Sequence, residues 1–393
     1  MSSIDAATGE RLETPRSATT ADSLVQRAWT ESLRLALLSR VSFFGVGLAV
    51  SWMLTTNTTG APATGFEEMW RRWDADHFLT IAEYGYTAPQ SDEHAAAFFP
   101  AFPLAVRPLL WLGFSPVVAG LVVAAMGAIV AGVFLFRLAE EEIGEGAGRR
   151  ALLYLTIFPT AVFLIAPYSE SIFLAGAIAA FYYARRARWH LVALPAAVAM
   201  GARAAGLFLI LGLAVEFVRQ REFSFERVGN ALFSLIVGLL PLLAYGAFLA
   251  RAMGNPFQFL VHQREGWGRT FVGPVASFMN TWNTWDVSTH PTNWLLAWRL
   301  EIVAAAVGLA FVVWALWKKE WGYATFMGSL LAVLVTSTWY YSIPRMLLTM
   351  FPVVLFLAKV THERPRLHEW MIIGLAPLAT LGVVVFTQGH WFY

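Results

Sequence analysis

The chain has no cysteine. That excludes disulfides, thiolate-held metal and a cysteine nucleophile, and it leaves the redox compartment open. Charge is also scarce: Asp, Glu, Lys and Arg make up 14% of the 393 residues against 58% hydrophobic. So little polar surface cannot keep a soluble domain of this length wetted. The opening ~30 residues lack an apolar core, so they do not read as a cleavable signal peptide. Residues 1–35 are expected to be a disordered cytoplasmic tail, and 36–393 a single membrane-embedded domain. No internal repeat stands out, which removes support for the inverted two-half plan of many transporters. His77, His262 and His290 show no local ligand spacing and would meet only by long-range convergence, so no metal and no cofactor is expected. The net charge of +2 says little, and no nucleic-acid partner is expected.

What is present is apolar runs separated by short charged or Gly/Pro punctuation. Many approach the ~20 residues a spanning helix needs. They predict an all-α polytopic membrane protein with about eleven spans, at 36–54, 116–138, 150–166, 169–185, 188–201, 203–218, 228–251, 296–316, 322–339, 345–359 and 370–387. The segment 98–113 is short and holds three prolines and Arg107, so it reads as a flat helix outside the bilayer core. With that segment flat, roughly two-thirds of the Lys and Arg fall on one side, which places the N-terminus in the cytoplasm. Two long outer loops follow, 55–115 and 252–295, carrying Trp70, Trp73, Trp111, Trp267, Trp282, Trp285 and Trp294. These tryptophans suit an interfacial belt, and beside acids and arginines they also suit a sugar-and-lipid surface.

The most informative stretch is RRWDADHFLTIAEYGY at 71–86, followed by AAFFPAFP at 96–103. On a helix Asp74 and His77 share a face, whereas Asp74 and Asp76 diverge by about 200°. A carboxylate near the membrane, flanked by Trp73, Phe78 and Tyr84, is partly desolvated, which favours proton acceptance and suits a general base. Asp74 equally fits the cap of the helix that starts there, and the residues alone leave both readings open.

This stretch resembles the signature of the GPI mannosyltransferase 2 (PIG-V-type) family, polytopic enzymes of the GT-C class. The likeness continues at APYSES (166–171), GARAAGLFL (201–209) and SIPRMLLTMFP (342–352). It implies a GT-C-like fold with flat helices in the first outer loop. It also implies an inverting transfer of mannose from a polyprenyl-phosphate carrier to a lipid-linked acceptor on the non-cytoplasmic face. By the resemblance Asp74 takes the acidic catalytic position, and Asp76 and His77 sit where the motif has an acid and an aromatic or His. Asp74 is then the base and Asp76 a helper.

The departing phosphate calls for outer-side cations, and guanidinium forks suit it best. Arg345, Arg203, Arg264 and Arg269 are the candidates, with Arg107 behind them. Headgroup anchoring by Arg345 and helix packing by Arg203 remain open alternatives. Trp73, Tyr168, Ser169 and Glu170 are candidates for contacting sugar or acceptor, although Ser169 also fits a plain helix cap. Arg far outnumbers Lys and Ala is abundant, which points to a GC-rich, bacterial genome and hence to the plasma membrane. A bacterium has no GPI pathway, so the acceptor is a glycolipid or a cell-envelope glycan. Competing classes are a GT-C transferase of another sugar or onto protein, and a lipid or sugar transporter. Against the transporter, few ionisable residues fall near span centres.

Overall fold

The computed structural model describes residues 17–58, 65–221, 223–284 and 292–390, and among these the chain is all-helical apart from one isolated bridge between Phe271 and Ser337. In chain order the helices are α1 (Ser17–Thr58), α2 (Phe66–Trp70), α3 (Asp74–Tyr84), α4 (Ala101–Trp111) and α5 (Pro116–Glu142). Then come α6 (Ala147–Thr156), α7 (Glu170–Arg185), α8 (Ala193–Ala202), α9 (Gly206–Gln220) and α10 (Phe225–Met253). The last are α11 (Gln258–Trp267), α12 (Pro274–Asn283), α13 (Thr292–Trp317), α14 (Trp321–Leu334), α15 (Ile343–Thr349), α16 (Pro352–Thr361) and α17 (Pro365–Thr387). Three short 3-10 turns sit at Ala95–Ala97, Ala161–Leu164 and Trp189–Leu191.

Five helices are long and apolar enough to cross a membrane, within α1, α5, α10, α13 and α17, and six spans result if the bent α15–α16 pair counts as one. The chain is thus an integral membrane protein by length and composition, but the expected count of eleven is not reached by this measure. The physical reason lies in the punctuation. The run 150–166 yields only α6, ten residues or about 15 Å long. Pro159 and Pro167 then keep the chain out of helix, and the 3-10 turn at Ala161–Leu164 takes over. Arg40 of α1 donates to the Leu164 carbonyl at 3.1 Å, serving a backbone group that this break leaves open. The run 345–359 is likewise broken: Pro352 begins a new helix and the axis turns by 74°.

The tail also differs from expectation. Helix α1 begins at Ser17, and Leu24, Ala28 and Leu35 lie on a face packed into the core. Arg27 reaches Glu140 of α5 at 3.4 Å, and Arg149 reaches Glu31 at 3.7 Å. The helix-period stripe was present beneath the polar composition, and acids and bases on α5 and α6 partner its polar side. Residues 1–16 lie outside the described residues, as do 285–291 with Trp285 and His290.

Segment 98–113 forms α4, eleven residues or about 16 Å, too short to span. It packs beside α3 and the start of α5. Helix α5 organises this region through small residues. A Cβ on Gly120 would come within 2.6 Å of Pro167 and 2.9 Å of Leu79, and one on Gly127 within 2.9 Å of the Ser171–Ile172 backbone. The two glycines therefore let α3 and the start of α7 close onto one helix. That approach brings the 71–86 motif and APYSES together.

Candidate active site

Asp74 opens α3 immediately after Trp73, whose φ is +54°. This left-handed backbone is costly for a large side chain, and it swings the chain sharply into the helix. The N-cap position belongs to Trp73, which makes no side-chain cap bond. The Asp74 carboxylate does not cap; its Oδ2 accepts from Arg345 Nη1 at 2.5 Å, across 271 residues of sequence. Arg345 also donates through Nε to Glu170, and Arg203 donates through Nη1 to the same Glu170 oxygen. The result is a linked quartet of two carboxylates and two guanidiniums drawn from α3, α7, α15 and the α8–α9 break. Glu170 is 0% exposed, and the Asp74 side chain is 24% exposed, so Asp74 is the accessible edge of the quartet.

The walls are aromatic. Tyr168 and Phe163 rings lie 4.6 and 4.8 Å from the Arg345 guanidinium carbon, and the Tyr168 hydroxyl donates to the Arg72 carbonyl at 3.2 Å. His77 stacks on Phe98 with centroids 4.6 Å apart, and Trp267 of α11 stands edge-on at 6.3 Å. Burial pushes the Asp74 carboxyl up, but Arg345, with His77 and Arg203 behind it, outweighs that and holds it below its ordinary value. Asp74 is therefore an ionised carboxylate on a part-buried ledge.

Arg269 lies near enough to feel the charges of Asp74 and Arg345. Its Nη2 donates to the Tyr341 carbonyl at 3.4 Å, its guanidinium lies 5.5 Å from the Tyr341 ring, and its buried Nε has no hydrogen-bond partner. Burial lowers its pKa from the ordinary value, opposed by Tyr341, Glu301 and Asp74. Glu170 Oε2 is also buried without a partner. Each such atom is costly in isolation and is well placed to meet a polar ligand.

The structure thus gathers Asp74, His77, Tyr168, Ser169, Glu170, Arg203, Arg345 and Arg269 in one region. Two expected residues are not brought in. Asp76 is 58% exposed and bonded to Arg71 Nε at 2.6 Å, because a two-residue step on α3 turns it away from Asp74. Arg264 is exposed on α11 and approaches neighbouring Glu265 at 3.9 Å. Trp73 contributes its backbone turn, and its ring is 43% exposed. Tyr168, Ser169 and Glu170, expected as sugar contacts, address arginines or backbone: Ser169 Oγ accepts from Arg203 at 3.2 Å rather than capping α7. Among the described residues no group of three or more His, Asp and Glu could hold a metal.

Sequence reasoning missed Glu301 of α13, which is 0% exposed and accepts from the backbone N–H groups of Ser342 and Ile343, each at 2.7 Å. The signal was a single acid inside the apolar run LLAWRLEIVAAAVG.

Comparison with known proteins bears on this same region. Residues 61–228 match the family model described as mannosyltransferase (PIG-V). The mouse GPI alpha-1,6-mannosyltransferase 2 is 39% identical over 149 residues, covering 35% of this chain and 29% of that protein. The human protein of the same name is 34% identical over 148 residues, covering 34% and 29%. The matched stretch thus spans under a third of these relatives' length. The family-model match at 61–228 includes Asp74, Asp76, His77, Tyr168, Ser169, Glu170 and Arg203, while Arg264, Arg269 and Arg345 lie beyond it. Residues 61–228 of this chain are accordingly similar to the PIG-V-type mannosyltransferase family over that stretch.

Proposed function

We propose that the protein is an inverting mannosyltransferase that moves mannose from a polyprenyl-phosphate carrier to a hydroxyl of a glycolipid or cell-envelope glycan acceptor. The observation that carries this reading is the ionised Asp74 carboxylate held at a part-buried edge among arginines, inside the segment that matches the mannosyltransferase family. The acceptor oxygen attacks the anomeric carbon from the face opposite the phosphate, its proton passes to Asp74, and the bond from C1 to the phosphate oxygen breaks. Polyprenyl phosphate leaves as an anion and needs countercharge rather than a strong acid.

Arg345 and Arg203 are already shared with carboxylates, whereas Arg269 keeps a buried unpartnered Nε. Arg269 is therefore the cation with a hydrogen bond left to give a donor phosphate, and Arg345 joins it as the phosphate takes part of its bond from Asp74. His77, Phe98 and Trp267 supply flat faces for a sugar ring. This reading takes the region to face the outside of a bacterial plasma membrane, supported by the excess of Lys and Arg expected on the opposite side.

The test is Asp74→Asn in membranes supplied with labelled polyprenyl-phosphate mannose. Transfer falls about 10²- to 10⁴-fold, the range of a general base, while the protein still inserts and folds, with a lower thermal midpoint because the buried Arg345 loses a charged partner. Undiminished transfer rejects the assignment of Asp74. Wild-type membranes that transfer nothing from this donor reject the proposed donor.

A further inference from the structure

The mechanism above uses Arg345 but does not explain what aims it. Helix α15 has only seven residues, about 10 Å, and is severed from α16 by the 74° bend. A helix this short does not hold its own geometry in isolation. Its start is also irregular: Ser342 occupies the N-cap position with φ +63° and makes no side-chain cap bond. The first turn should leave backbone N–H groups open. Of these, Pro344 has none to offer, and Ser342 and Ile343 both donate to Glu301, to Oε1 and Oε2 respectively.

Glu301 comes from another helix, 41 residues earlier, and is wholly buried. Burial strips water from both oxygens of Glu301, and the two N–H bonds replace it in one grip. Two residues past that grip stands Arg345. The Pro344 carbonyl is held separately by Thr160 Oγ1 at 3.2 Å. The turn that carries Arg345 is therefore fixed at its N–H side by Glu301 and at its C=O side by Thr160. A wedge of this kind sets the depth at which the guanidinium reaches Asp74 and Glu170.

We infer that Glu301 is a positioning residue, whose carboxylate stands in for the missing cap of α15 and holds the Arg345 guanidinium in register with Asp74. It touches neither substrate nor reacting atoms; it acts through Arg345, and its electrostatic influence also reaches Arg269. The inference rests on the transfer reading for its catalytic consequence, but the coupling of Glu301 to Arg345 stands on geometry alone.

Glu301→Gln separates this role from a plain loss of folding. The amide oxygen still accepts one N–H, while the amide nitrogen faces the second N–H with no lone pair to offer. Arg345 then drifts from Asp74. The groups facing Asp74 are Arg345, His77, Arg203, Tyr168, Glu170 and Arg269. With Arg345 loosened, burial gains weight and the acidic limb of the kcat/KM profile moves to higher pH. The expected result is a loss on the order of tenfold or more at pH 7, that upward move of the limb, and no further loss when Glu301→Gln is added to Arg345→Ala. An unmoved limb, or losses that multiply in the double variant, overturns the inference. If wild type shows no transfer, the same cycle is read on thermal midpoints of the detergent-solubilised protein. Non-additive midpoints there support the coupling and additive ones overturn it, whatever the fate of the donor assignment.

Discussion

Helix α7 begins on one buried ion network and ends on another, about 24 Å away along its sixteen residues. At its start Glu170 joins Arg345, Arg203 and Asp74. At its end Arg185 joins Glu142 at 2.8 Å, Glu216 at 3.8 Å and Glu320, with Arg219 also on Glu216 at 2.6 Å. Both ends follow helix electrostatics, acid first and base last. The balance of charge is opposite. The Arg185 end has three carboxylates for two guanidiniums, and the Tyr323 hydroxyl also donates to Glu142 at 3.1 Å. The Glu170 end has two carboxylates for two guanidiniums, with Arg269 as a further cation nearby. An anionic donor suits the second and is repelled by the first.

The elements that supply each network differ too. Glu142, Arg185, Glu216 and Glu320 come from the ends or near-ends of α5, α7 and α9 and from the residue before α14, so one ion cluster ties four packed helices. The Glu170 end draws on a left-handed turn at Trp73, a helix break at Arg203 and the seven-residue α15. Strained and short elements are where a fold keeps ligand-competent geometry at some cost in stability. The first network reads as a clamp and the second as a site.

The sharpest way to break that distinction is to remove the centre of the clamp. Arg185→Ala leaves three buried or half-buried carboxylates facing one another and should destabilise by about 3–5 kcal/mol, the usual effect of breaking a buried pair from one side. Thermal unfolding in detergent records it. The fraction that folds should keep its KM for the donor, since nothing near Asp74 has changed. A specific rise in donor KM without loss of stability would move Arg185 from clamp to site.

A smaller effect sharpens the comparison through pH. The folded-state pKa of Asp74 is lowered, so the stability it contributes is present above its unfolded value and is lost as pH falls through the folded one. Across neutral pH the carboxylate stays ionised, and the Asp74 contribution to kcat/KM is flat. Arg345→Gln removes the main cause of the lowering and leaves burial, so the acidic limb should move upward. A pH–rate series on the two proteins checks the sign, and a limb that moves downward contradicts the pairing.

Much of this was legible in the sequence, for physical reasons that also set the limit. Long uninterrupted apolar runs gave α5, α10, α13 and α17, because nothing but a helix satisfies the backbone in lipid. The runs around Pro159, Pro167 and Pro352 looked equally apolar, yet their prolines leave helices shorter than the ~20 residues of a full crossing. Asp74 was legible from its motif. Its partner was not, since Arg345 lies 271 residues away and only the meeting of α3, α7 and α15 joins them. Glu301 was visible as a lone acid in an apolar run, but its purpose depends on the N–H groups of a turn 41 residues on.

The smallest effect concerns Asp76, which lies two residues from Asp74 and in the same matched stretch. Its carboxylate faces away, 58% exposed, in an ion pair with Arg71, which also reaches Thr80 at 3.1 Å and Glu83 at 3.4 Å. A pair this exposed is worth at most about 1 kcal/mol, and Arg71 keeps its other partners when Asp76 becomes Asn. Asp76→Asn should therefore change stability by less than that and lower transfer by no more than about 5-fold, the equivalent of 1 kcal/mol, against the far larger loss at Asp74. The comparison is made on the same membranes with the same donor. Equal losses at the two positions would mean that Asp76 turns inward when substrate binds, and the helix geometry of α3 would have to break to allow it.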